Sequence, residues 1–497
     1  MKYSAASILI LLILGSAPVA TANYAVNGPE SAGGSTLAAD GAVILEGVPY
    51  VWQEINGLCA WATLSMVCQY LGVDLDLHDV LAITGVGFSF AYIRYNDTLL
   101  MVPGALYQQV EPTEFLANLY GLNQTVYLGS GISNLEGQIG YLNSQGINVG
   151  VLSSQEDAMQ LMKQLIDDGR PLIISVDPRW LPAHDYDEFR MHNSSSGAHG
   201  VVVVGYNDTD GTATIMDPGV GSFGDSFGYP IDGRGNYTRI SYPNLGLAWG
   251  SRDWISVSLL PGGTPVQDVP SYLGPYIRDR LLGSSSSYAP GSPYGYIWGF
   301  GEGAFRRMSS DMTPDGLSSY LSVFNGIPDE VYNKALLLLF IGLGLEAQTT
   351  LQYLSFRAAL EKLSFLMSTV DLATFSTEAA KALPHFDALA DNRSLTNPFN
   401  ITPHETIVSN TFHHLVDMYN STGNLTSALA SVADNLTIIS GHLGAIADSW
   451  KAAGLALESI WPTNPLIVYA PFIVVGVSAG VILAIGILRW IRKKPSQ

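Results

Sequence analysis

The chain has 497 residues, with 23 Lys and Arg against 43 Asp and Glu and a formal net charge of −20. Hydrophobic residues make up 47% and charged ones 13%, the balance of two or three packed domains rather than of a disordered chain. A nucleic-acid partner is excluded, because phosphate binding needs clustered basic side chains and these are few and scattered.

Met1-Lys2, the apolar run Ile8–Leu14 and the small residues Ala20-Thr21-Ala22 read as a signal peptide over residues 1–22. Residues 23–42, rich in Gly, Ser and Ala, read as a linker. From 43 to 261 short β-branched runs alternate with amphipathic helical patterns, the mark of an α+β domain. Helices are predicted at Cys59–Leu71, Pro112–Tyr120 and Glu156–Asp168, the last ended by Gly169; strands are predicted at Leu172–Val176, Gly200–Val204 and Thr212–Met216. Residues 262–328 turn rich in Gly, Ser, Pro and Tyr and read as an extended connector. Helical patterning over 329–465 predicts an antiparallel helical stalk. Its apolar run Ala335–Leu345 is too short to cross a bilayer and reads as a buried helix.

Leu466–Leu488 is a stretch of 23 residues without a charge, long enough to span a hydrocarbon core of ~30 Å. Arg489, Arg492, Lys493 and Lys494 follow it, which assigns 489–497 to the cytoplasm and the bulk of the chain to the outside of the cell membrane. Asn96, Asn123, Asn193, Asn207, Asn236, Asn392, Asn400, Asn420, Asn424 and Asn435 each begin an Asn-x-Ser/Thr triplet, as in an exported glycoprotein.

The only two cysteines, Cys59 and Cys68, lie on one predicted helix. Nine residues of helix rise ~13.5 Å, beyond the ~4.4 to 6.8 Å Cα separation that a disulfide tolerates. An exported chain with two unbridged thiols keeps them for chemistry or buries them. Cys59 follows the turn pair Asn56-Gly57 and opens the helix, where unpaired N–H groups and the macrodipole favour a thiolate. Cys68 is mid-helix and reads as a small core hydrophobe.

A thiol nucleophile needs a base, and "GAHGVVVVGYNDTDGTATIMDPG" supplies one. His199 opens an apolar strand, "NDTDG" turns the chain, and Asp217 closes the returning strand. A hairpin centred near 208 sets His199 and Asp217 nearly opposite each other, so that the carboxylate holds the imidazole. Gln53 is positioned to donate its side-chain amide to an oxyanion beside the Cys59 backbone N–H. Trp61 is expected to pack over the site. His184, Asp185, Asp187 and His192 read as a mobile loop bordering the cleft; no spacing rule supports a metal there. "NDTDG" lacks the Glu that a calcium loop requires.

Together "VPYVWQEINGLCAWATLSMVCQYLG" and "GAHGVVVVGYNDTDGTATIMDPG" resemble the papain-fold cysteine peptidases, most closely the family related to bacteriocin-processing, double-glycine-leader peptidases, family thirty-nine of the cysteine class. The resemblance covers 43–261. It implies an N-terminal catalytic helix packed on an antiparallel sheet, with Cys59 as nucleophile, His199 as general base, Asp217 as the His-orienting residue and Gln53 as oxyanion donor. It implies no cofactor or metal, and a peptide or protein substrate. Cys59-Ala60-Trp61 stands where that family commonly has Cys-Gly-Pro, and no nucleotide-binding loop follows, so double-glycine specificity is not carried over.

The expectation is a membrane-anchored extracellular peptidase acting through a thioester acyl-enzyme, weakened as falling pH protonates His199. A binding-only adhesion protein and an acyltransferase using the same three residues are the alternatives.

Overall fold

The computed structural model describes residues 35–37, 41–55, 57–95, 98–103, 107–108, 112–191, 199–220, 235–283, 296–391, 405–462 and 472–473. The expected signal peptide and cytoplasmic tail lie outside these, as does 466–488 apart from the short strand Phe472–Ile473. The protein is mixed α+β, with a sheet unit toward the N-terminus and a largely helical unit toward the C-terminus. The first unit runs to Thr84 and resumes from Gln108 to Val269; the second joins Gly85–Tyr107 to Pro270–Ala470.

Nine strands form the sheet of the first unit: β1 (Ser35–Leu37), β2 (Ala42–Leu45), β3 (Leu122–Gly129), β4 (Asn148–Leu152), β5 (Leu172–Val176), β6 (His199–Asn207), β7 (Thr212–Met216), β8 (Thr238–Ser241) and β9 (Ser256–Pro261). Their order is β1-β2-β6-β5-β9-β3-β4, with β7 also on β6 and β8 beyond β7. Every pairing is antiparallel except β3 with β4. β1 lies inside the stretch expected as a linker and pairs with β2. Strand β6, "HGVVVVGYN", is buried along almost its whole length, as a β-branched run with neighbours on both edges should be.

Helix α1 (Cys59–Tyr70) is buried on nearly every side from Trp61 to Tyr70. Gly72, at φ 84°, ends it in the left-handed conformation glycine adopts freely. Helix α2 (Pro112–Tyr120) has the predicted bounds. Helix α3 (Gln155–Asp167) starts one residue early because the Ser154 hydroxyl caps it, accepting from the Asp157 N–H at 3.1 Å.

The β6–β7 hairpin forms, but its register is not the expected one. Thr212 pairs with Asn207, the ladder slips between Thr214 and Ile215, and Met216 pairs with Val202. One further step puts Asp217 across from Val201, so it meets His199 diagonally on the same face. Two local features move the register. Asn207 Oδ1 accepts from the N–H groups of Thr209 and Asp210 at 2.8 and 3.1 Å, which widens the turn, and a bulge takes up one residue of β6.

In the second unit Phe90–Tyr95 lies between Tyr296–Phe300 and Thr98–Pro103, antiparallel to both. The 262–328 stretch, expected as an extended connector, contains the helices Val269–Leu282, Glu302–Asp311 and Pro314–Leu321. Several of its Gly and Pro residues stand at element ends. Gly301 precedes one helix at φ 54°, and Thr313-Pro314 opens the next with the Thr313 hydroxyl accepting from the Gly316 N–H. The helices expected as a stalk pack round an aromatic core in which Phe305, Phe356 and Phe386 ring Trp450 at centroid distances of 5.0, 5.4 and 6.2 Å. Helix Glu330–Leu366 is long and apolar enough to cross a membrane, yet most of its apolar window is buried within the protein. It also buries Glu346, Gln348, Thr349 and Gln352, and Gln352 Nε2 donates to the Gly87 carbonyl at 2.6 Å.

Candidate active site

Cys59 is the first residue of α1, and no side chain among the described residues caps that helix end. Its sulfur is instead hydrogen-bonded to the backbone of Ala60 and Gly200 and to the His199 ring. Gly200 lies close against Ala60: a Cβ there would stand 3.4 Å from both Cα and N of Ala60, within van der Waals contact. The helix start and the strand start are therefore in contact, with the sulfur at their junction. Cys59 is half-buried, whereas Cys68 is fully buried and its thiol is pushed up to about 12 by that burial. The two cysteines are not bridged.

His199 is 8% exposed and Asp217 1%. His199 Nε2 lies 2.7 Å from Asp217 Oδ1, which leaves Nδ1 as the nitrogen for the sulfur. The Gly219 N–H donates to Asp217 Oδ1 at 2.9 Å. Asp217 is further fixed through its own backbone, whose N–H donates to the Gly235 carbonyl at 2.9 Å and whose carbonyl accepts from the Tyr50 hydroxyl at 2.9 Å.

Burial acts against charge on both members of the Cys59–His199 pair, and their mutual attraction overcomes it. Burial would raise the Cys59 thiol, but the His199 charge and the hydrogen bonds to His199, Gly200 and Ala60 hold it below its ordinary value. Burial would lower His199, but the charges of Asp217 and Cys59 raise it to about 10. Both shifts run toward the ionised form of the pair.

Gln53 is 1% exposed and anchored by its backbone N–H, which donates to the Pro218 carbonyl at 3.1 Å. Its Oε1 has no hydrogen-bond partner among the described residues. The next residue, Glu54, takes φ 60°, an uncommon conformation for a non-glycine residue. Trp61 is buried in α1 at 5% exposure.

The segment before β6, expected as a mobile loop, is tied by Arg190, which donates to the carbonyls of Leu181 and Ala183 at 2.7 and 2.9 Å and pairs with Asp187. His184 pairs with Asp187 at 3.0 Å, and His192 lies outside the described residues. The same segment delivers a residue that sequence reasoning missed. Tyr186, with no exposure, directs its hydroxyl to Asp217 Oδ1 and Oδ2 at 3.0 Å each and stands 3.2 Å from His199 Nε2. No motif marks it; its only signal was a large aromatic inside a cluster of charged residues.

A helix-opening thiol, an imidazole and a buried carboxylate in sequence are the groups that a cysteine nucleophile with a proton carrier would use. Residues 45–226 match the model of the Peptidase_C39 like family, and that segment is similar to it. The match includes Gln53, Cys59, His199 and Asp217 and leaves 1–44 and 227–497 outside it. Among curated proteins none matches the chain.

Proposed function

We propose that the protein is an extracellular cysteine peptidase with a papain-like catalytic unit, anchored in the cell membrane by Leu466–Leu488. The observation that carries this reading is the unbroken chain from the Cys59 sulfur to the His199 ring and from Nε2 to Asp217 at 2.7 Å. The Cys59 thiolate attacks the carbonyl carbon of a peptide; a C–S bond forms and the carbonyl electrons move onto oxygen. Gln53 and the Cys59 backbone N–H donate to that oxyanion. Collapse of the intermediate breaks the C–N bond as the His199 proton passes to the leaving amine. Water then adds to the thioester, giving its proton to His199, and C–S cleavage regenerates the thiolate. Asp217 acts through His199, holding its tautomer and orientation.

The test is labelling of the full chain by a thiol-directed electrophile, together with turnover of a peptide library under reducing conditions. Cys59→Ala abolishes both, and Cys68→Ala leaves both intact. Equal labelling of the two variants overturns the assignment of Cys59. Labelling without cleavage, with peptides still bound, turns the reading toward a recognition protein.

A further inference from the structure

We propose that Tyr186 is a positioning residue that sets how strongly Asp217 holds the charge on His199. The inference rests on the peptidase reading and adds a residue to it. The Asp217 carboxylate receives donors from His199, Gly219 and Tyr186. Each donor draws off part of the negative charge that would otherwise fall on the imidazolium. The phenol proton is the one that reaches both carboxylate oxygens, and its oxygen also lies beside Nε2.

Four titratable groups surround the Tyr186 phenol. Cys59, His199 and Asp217 form the chain, and Asp185, 2% exposed, also faces Tyr186. Burial raises the phenol far above its ordinary value, and the neighbouring charges of Asp217, Asp185 and Cys59 raise it further, so it remains a donor wherever the thiolate–imidazolium pair exists. Without the hydroxyl the carboxylate charge falls more fully on His199. The imidazolium then survives to higher pH.

Alkylation of Cys59 by iodoacetate reads this directly, because the anionic reagent reacts faster with a thiolate–imidazolium pair than with a bare thiolate, giving a profile that falls as His199 loses its proton. In the full chain Tyr186→Phe moves that alkaline limb upward by about 0.5 to 1 pH unit. A site-specific fluorinated tyrosine at 186, a stronger donor on the same ring, moves it downward. Tyr206→Phe, which removes a hydroxyl from Asp167 elsewhere in the unit, leaves it in place. A purely structural role for Tyr186 lowers thermal stability without shifting the limb. A bell-shaped wild-type profile with an unmoved limb in both Tyr186 variants overturns this inference and leaves the peptidase reading standing. A wild-type profile with no thiolate–imidazolium signature at Cys59 removes the reading itself and this inference with it.

Discussion

His199 opens one of two paired antiparallel strands and Asp217 directly follows the other; they are not cross-strand partners, yet Nε2 and Oδ1 are 2.7 Å apart. The contact is diagonal, and it depends on the slip between Thr214 and Ile215. A strand shifted by one residue presents its other face. The bulge therefore helps decide whether the carboxylate meets the ring.

Asp217→Asn tests that contact. The amide keeps the shape but removes the charge that holds His199 protonated, so turnover is expected to fall by about 10²- to 10⁴-fold. Over the same substitution the Cys59 thiol loses part of the stabilisation it takes from the imidazolium and rises. Alkylation rate against pH checks both: the acid limb moves upward while the circular dichroism spectrum stays unchanged.

The pH dependence of the unsubstituted protein follows from two opposite shifts. Cys59 is held below its ordinary value, so reactivity appears as pH rises through that depressed value and is lost as pH falls through it. His199 is raised to about 10, so the pair breaks as pH rises through that region. An inactivation profile whose acid limb sits at the ordinary thiol value would contradict the pairing.

Gly219 is tested by adding one methyl group. A Cβ there would lie 2.6 Å from His199 Cε1 and 2.7 Å from the Tyr186 hydroxyl oxygen. Gly219→Ala forces one of the two rings to move, at about 1–3 kcal/mol of stability, and Cys59 alkylation at neutral pH slows. Thermal melting and alkylation, measured on the same sample, read the two effects separately.

Gln53→Ala separates oxyanion stabilisation from nucleophile activation. Peptide turnover is expected to drop by about 10²- to 10³-fold, while alkylation of Cys59, which forms no oxyanion, stays within about twofold. Equal losses in both assays would show that Gln53 supports the packing around Pro218 instead.

Much of this site was legible in the sequence because its parts announce themselves locally. A cysteine after a turn pair, a histidine opening a β-branched run and an aspartate closing the next run each have a short-range signature, and the strands Leu172–Val176 and Thr212–Met216 have the expected bounds. The register was not legible, because a bulge is one unpaired residue among several equivalent valines. Tyr186 was hidden for a different reason: its contact joins residues 31 apart, through a segment whose charges suggested only solvent. Helices within 262–328 escaped because Gly and Pro at element ends leave the same composition as Gly and Pro throughout a loop.

The excursion of Gly85–Tyr107 into the second unit governs how this chain must be made. Phe90–Tyr95 waits for a partner, Tyr296–Phe300, that is synthesised roughly 200 residues later. Until Tyr296–Phe300 is made, the edge of Phe90–Tyr95 that it covers has no ladder partner from this strand, and an unpaired edge is where another chain could dock. A fragment truncated after Pro261 would keep that edge permanently open and would be prone to aggregate, so recombinant work needs the closing strand in the same polypeptide.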